Sequence, residues 1–203
     1  MIDNKLYLEK GKGEPIILLH GLFGALSNWK TVVNQFAKTH RVIIPKIPLT
    51  EVDVKKANLE SLTDYVKKFI NKQRLKNFIL IGNSLGGHIA LIYTILYPKN
   101  VKKLILTGSS GLYENSFGGS FPKRGDYKYI EDRVNHTFYN PDILTKKYVD
   151  DIFKTLNDNA KCLNIITIAR SAQRNNLAKK LYKIKCPTPV SYTHLTLPTN
   201  DQG

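Results

Sequence analysis

The sequence predicts a layered α/β fold with a mostly parallel sheet, and three observations carry that prediction. Short apolar runs alternate with helix-periodic stretches through residues 1–111. One run, NFILIG (77–82), leads through GNSLG (82–86) directly into an apolar helical pattern. After Gly111 the strand signal stops and helical patterns alone follow, as expected of an insertion laid over the sheet.

The elements follow in order. KLYLE (5–9) alternates like an edge strand, while PIILLH (15–20), RVIIP (41–45), NFILIG (77–82) and KKLILTG (102–108) read as buried strands. Between them, Ser27 or Asn28 is placed to cap a helix whose stripe is Trp29, Val32, Val33 and Phe36. Asn58 is placed to cap another, with Leu59, Leu62, Val66, Phe69 and Ile70 turned inward. Leu85 to Leu96 is apolar nearly all round, the mark of a helix packed centrally on a sheet, and Pro98 ends it. Residues 112–125 form a loop rich in glycine and aromatics, followed by helical patterns near 127–138, 141–157, 160–173 and 175–183, with Pro141 in a first-turn position. The expected organisation is therefore a core at 1–111, a helical cap or lid at 112–183 and the start of the next core strand at 184–188.

Composition narrows the function classes. An apolar fraction of 42% and a charged fraction of 23% are those of a globular domain. No apolar run approaches the ~20 residues that span a bilayer, so no membrane partner is expected. The start MIDNKLYLEKGKGEP has no signal-peptide pattern. Cys162 and Cys186 have neither metal nor disulfide-framework spacing, which places the chain in a reducing cytoplasm. The net charge of +15 raises nucleic acid as a partner. Its lysines, however, are scattered singles and pairs such as Lys55-Lys56 and Lys102-Lys103, which read as solvated faces, so no nucleic-acid partner is expected. No segment sets an oligomeric state.

Gly82-Asn83-Ser84-Leu85-Gly86 matches G-x-S-x-G in the context that pattern requires, strand before and helix after. In such a turn the serine takes a strained backbone conformation, and glycines flank it because a Cβ would strike the neighbouring strand and helix. Its hydroxyl then stands at the positive end of a helix, where developing negative charge is favoured. A second motif, LLHGLFGALSNW (18–29), ends a strand in His20-Gly21 with Gly24 three residues on.

With both motifs present, the chain resembles the α/β-hydrolase superfamily over about residues 5–188. GNSLGG, YPKNVKKLILTGSSGL and LYKIKCPT are most similar to its cap-bearing carboxylesterases and meta-cleavage-product hydrolases. The resemblance implies Ser84 as nucleophile and the amides of Leu22 and Leu85 as oxyanion donors, with Phe23 the alternative to Leu22. It implies that His20 shapes the loop, with Gly21, Gly82 and Gly86, rather than moving protons. Phe23 and Arg170 are candidate substrate contacts. Phe117, Phe121, Tyr127, Tyr129, Phe138 and Tyr139 are read as cap core that could line an apolar pocket. The implied substrate is a small ester, a thioester or the C–C bond of a diketone-like molecule, with no cofactor and no metal. The segment PKIPLTEV (45–52) departs from the family's usual D-x-x-G-x-G-x-S loop. The alternative reading is a non-catalytic protein that binds a small ligand on the same fold.

A serine needs a histidine to take its proton and an acid to orient that histidine. In the family both follow the strand after the cap. Here KIKCPT (183–188) is followed by PVSYTHLTLPTNDQG, broken by Pro187, Pro189 and Pro198. All 31 Lys and Arg residues precede Pro187. The expectation is a chain incomplete at its C-terminus, with 189–203 a non-native tail, and nearly inert as written. Among the histidines, His88 reads as a packed helix residue, His40 as surface and His136 as part of the cap. His194 and Asp201 stand in the wrong order for this family, and Ser109 and Ser110 occupy the alternative place for the acid.

Overall fold

The computed structural model describes residues 2–3, 6–24, 29–112, 123–135 and 145–192. Ser27, Asn28, Phe117, Phe121, His136, Phe138, Tyr139, Pro141, His194 and Asp201 lie outside the described residues.

Among the described residues the apolar runs become a seven-stranded sheet. Its strands are β1 (Ile2–Asp3), β2 (Tyr7–Lys10), β3 (Glu14–Leu19), β4 (His40–Pro45), β5 (Phe78–Asn83), β6 (Val101–Thr107) and β7 (Val190–Ser191), in the order β1-β2-β4-β3-β5-β6-β7. β1 and β2 form the antiparallel edge, and every pairing from β4 to β7 is parallel. Central strands are apolar at consecutive positions because both faces are covered. Ile16 and Leu18 of β3 pack with Trp29, Val33, Val42 and Ile44 on the face carrying α1 (Lys30–Phe36). Ile17 and Leu19 point the other way, into the larger core shared with α2 (Leu59–Lys72) and α3 (Leu85–Leu96). Each such side chain contributes about 1.5–3 kcal/mol when fully buried.

Asn58 caps α2 as its sequence position predicts, its side chain accepting from Ser61 N at 2.9 Å. The stripe Leu59, Leu62, Val66, Phe69 and Ile70 is buried, fixing α2 beside α3. Between β6 and β7 lies the helical block: α4 (Tyr127–Asn135), α5 (Lys146–Asn157), α6 (Asn159–Arg174) and a 3-10 segment, Ala178–Lys183. Thr145 caps α5 and Asp158 caps α6, so the chain turns sharply between the two helices. Val149, Ile152 and Leu156 of α5 and Ile165 and Ile168 of α6 join the larger core.

The sequence places the next strand's start at 184–188 and reads 189–203 as a non-native tail; the ladder pairs Leu106 with Val190 and Thr107 with Ser191. Leu104, Leu106 and Gly108 donate their N–H groups to the carbonyls of Pro187, Pro189 and Ser191 at 3.1, 3.1 and 2.8 Å. Proline can accept in a ladder but cannot donate, so the strand pairs through its carbonyls and stays two residues long.

Candidate active site

β5 delivers Ser84 at its end, and α3 begins at the next residue. Ser84 is half-buried, with φ 52° and ψ −119°, a left-handed conformation that costs a non-glycine residue about 1–3 kcal/mol. Several bonds hold it there. Ser84 N donates to Thr107 O at 3.1 Å, while Ser84 O accepts from His88 N at 3.1 Å and Ser110 N at 3.2 Å. Asn83 Nδ2 bridges to Thr107 O and Oγ1 at 3.1 and 3.2 Å, tying the ends of β5 and β6 together.

The two glycines around the serine answer to close approach. A Cβ on Gly82 would sit 2.5 Å from Gly86 O and 2.6 Å from Gly87 Cα, and one on Gly86 would run into the Leu19 and His20 carbonyls. Strand, turn and helix are therefore drawn together at backbone distance. Leu85 is the first residue of α3, where a helix leaves its amides without intrahelical acceptors.

The second motif arrives beside the first. β3 ends at Leu19, and residues 21–24 close a turn through Gly24 N–H to Gly21 O at 3.0 Å. A Cβ on Gly21 would lie 3.1 Å from Ser84 Cβ, so this loop rests against the serine. His20 is buried between the loop and the segment after β4. Ile47 N–H donates to His20 Nε2 at 3.2 Å, so the neutral ring carries its hydrogen on Nδ1 and gives it to Gly21 O at 3.0 Å. Burial lowers the pKa of His20 from its ordinary value, against smaller opposing effects of the Gly21 carbonyl and the Glu51 charge.

Leu22 and Phe23 are partly buried against the larger core, and Phe23 O accepts a 2.7 Å hydrogen bond from Tyr148 Oη on α5. Nothing in the sequence signals this contact, because helical periodicity says which face is buried and not what a polar tip meets. Asn164, buried on α6, similarly holds the 45–52 segment, donating to Val52 O at 2.8 Å and Thr50 O at 3.3 Å.

Arg170 belongs to the helical block. It is exposed on α6 and lines a polar cavity of about 510 Å³ with Asn58, Thr167, Ser171, Arg174 and Asn175; Ser84 is not part of that lining. His88 is fully buried on α3, with Nδ1 3.3 Å from Ser110 Oγ. Burial pushes its pKa down to about 4, opposed by the neighbouring Asn175, and it faces Ser110 rather than Ser84 Oγ. His40 opens β4 at the strand's N-terminal end and bonds to Thr39 Oγ1 at 2.8 Å.

A parallel sheet whose central strand turns through a left-handed serine into a helix, with a His-Gly loop alongside, defines the α/β-hydrolase class. The family model for the alpha/beta hydrolase fold matches residues 14–139, and the chain belongs to that family. An alpha/beta hydrolase enzyme from a metagenome of sediments of the Mar Chica lagoon, Morocco, is 36% identical, with a TM-score of 0.73 over 95% of this chain and 74% of its own. The 2-hydroxymuconate semialdehyde hydrolase of Pseudomonas sp. (strain CF600) is 29% identical over 71% of this chain and 49% of its own length. The 2-hydroxy-6-oxo-6-phenylhexa-2,4-dienoate hydrolase of Comamonas testosteroni is 26% identical over 92% of this chain and 72% of its own. The chain spans about half the length of the first of these two curated relatives.

Proposed function

We propose that Ser84 is the nucleophile of a serine hydrolase acting on a small ester, a thioester or the C–C bond of a diketone-like substrate. The observation that carries this reading is the left-handed Ser84 at the start of α3, with the His20–Gly24 loop against it. The hydroxyl oxygen adds to a carbonyl carbon, and the carbonyl oxygen becomes an anion. The Leu22 and Leu85 amides are the donors assigned to that anion, each worth about 3–4 kcal/mol of transition-state stabilisation in such sites. The segment 112–183 serves as the cap over the substrate, and Phe23 is a candidate contact to it. The C–C-bond option draws on the relatives named for hydroxymuconate semialdehyde and a hydroxy-oxo-dienoate.

Nucleophilic attack needs a proton acceptor. Among the described residues, His20 is committed to Gly21 and Ile47, and His88 faces Ser110. The base and its orienting acid are therefore assigned to sequence outside the described residues. A chain without that base is expected to turn over p-nitrophenyl acetate about six orders of magnitude more slowly than one that carries it. In the protein that carries base and acid a fluorophosphonate should label Ser84, and Ser84→Ala should lose both label and turnover. Undiminished turnover by Ser84→Ala would end the proposal. Tight reversible binding of small esters without labelling or turnover would favour the ligand-binding alternative.

A further inference from the structure

The loop beside Ser84 is fixed peptide by peptide. A trans peptide is planar, and its C=O and N–H point in opposite directions. In the Gly21–Leu22 peptide the carbonyl is held by two donors, His20 Nδ1 and Gly24 N, each at 3.0 Å. The Leu22 N–H of that same peptide must then face away from both. In the Phe23–Gly24 peptide the N–H is the donor to Gly21 O, and the carbonyl is held at 2.7 Å by Tyr148 Oη. The turn is thus anchored at one end through the core, by His20, and at the other through the helical block, by Tyr148.

The phenol's place is itself determined. Thr145 caps α5, and its side chain accepts from Tyr148 N at 3.3 Å, which sets Tyr148 in the helix's first turn. Val149, Ile152 and Leu156 bury the adjoining face of α5 in the larger core. With that stripe docked, the ring of Tyr148 packs at the margin of the core and its hydroxyl reaches a loop 125 positions away in sequence.

We infer that Tyr148 is a positioning residue: its hydroxyl, carried by α5, orients the 21–24 loop so that the Leu22 amide faces the carbonyl oxygen of the substrate. This rests on the proposed role of Leu22 as an oxyanion donor. Docking of α5 and completion of the donor pair then become one event. When α5 is displaced, the Phe23–Gly24 peptide keeps its N–H tie to Gly21 and loses the tie on its carbonyl. The turn can then pivot on the Gly21 carbonyl and carry the Leu22 amide out of line. Substrate binding need not change, because Tyr148 is bonded to the loop and not assigned to the substrate.

The experiment compares Tyr148→Phe with Asn157→Ala in the protein that carries base and acid. Asn157 donates to Arg124 O at 2.7 Å and Phe153 O at 2.9 Å, so its loss loosens the same block without touching the loop. With p-nitrophenyl acetate, Tyr148→Phe should lower kcat about 10- to 30-fold, less than outright deletion of an oxyanion donor. Its KM should stay within about twofold, and Asn157→Ala should retain wild-type kcat. In parallel, amide hydrogen exchange on the 203-residue chain should speed up at Leu22–Gly24 in Tyr148→Phe and not in Asn157→Ala. An unchanged kcat in Tyr148→Phe overturns the inference, as does a loss confined to KM or an equal loss in both variants. Should Ser84→Ala keep its turnover, the hydrolase reading falls and the catalytic role of Tyr148 with it. The exchange data still decide whether the phenol holds the loop.

Discussion

At the scale of single residues, Ser84 and His88 are each held in a state that the fold disfavours or enforces. Ser84 occupies a φ of 52° that glycine adopts freely, and this strain is the cost of presenting its hydroxyl at the head of α3. Ser84→Gly should therefore stabilise the protein by about 1 kcal/mol relative to Ser84→Ala, read as a higher urea midpoint at unchanged slope. A glycine variant less stable than the alanine one would show that the turn is not strained. His88 is kept neutral by burial, its pKa lowered from 6.5 to about 4. The sign follows from proton binding. As pH falls through 6.5 the unfolded chain takes up a proton that the folded one refuses, so stability declines until about pH 4. The loss is about 3 kcal/mol across that window, and it is absent above it. The difference in unfolding free energy between wild type and His88→Phe, followed from pH 7.5 to 4, should shrink by that amount. A difference independent of pH would place the ring in contact with water.

At the scale of elements, the junction of β3, β5 and α3 tolerates no added atoms. Gly86→Ala sets a methyl group against the Leu19 and His20 carbonyls, which are backbone atoms of a central strand and the loop that continues it. It should cost about 3 kcal/mol, because strand and helix must separate to admit it. A loss under about 1 kcal/mol in urea unfolding would mean that α3 can slide. This junction was legible in the sequence because its constraints are local: glycines at fixed offsets, an apolar run before, a helix after. β3 to β6 and the capped α2 were legible for the same reason, since periodicity and caps act within one element. The contacts between elements were not. Tyr148 meets Phe23 only because α5 docks by its apolar stripe, and no spacing records the meeting. β7 lies just past the 184–188 start that the pattern suggests, because two prolines argue against a strand, although at an edge their carbonyls suffice for pairing with β6. β1 leaves no signal in the sequence, because two residues carry no measurable alternation.

At the scale of the whole molecule, the net charge of +15 acts on stability through self-repulsion. The fold pairs some of its cations: Arg41 with Glu9 at 2.8 Å, Lys68 with Asp64 at 2.7 Å, and Lys128 with Glu131 and Asp132 at 3.1 and 3.0 Å. Such pairs at the surface are worth under about 1 kcal/mol each, and with 31 basic against 16 acidic side chains the cations outnumber the anions by 15. Self-repulsion of that size disfavours the compact state, and it reaches beyond neighbouring residues when the ionic strength is low. Raising NaCl from about 20 to 200 mM shortens the screening length from roughly 20 Å to under 10 Å. Long-range repulsion is then screened more than the close pairs, which sit at contact distance. The urea midpoint should therefore rise with NaCl, corresponding to about 1 kcal/mol of added stability, and level off as the screening length approaches the spacing of neighbouring charges. Retention on heparin, if any, should be lost over the same range, as for scattered lysines without a built anion site. A midpoint that falls with salt would show that the ion pairs outweigh the repulsion, and retention that persists would mean that the lysines gather into a patch.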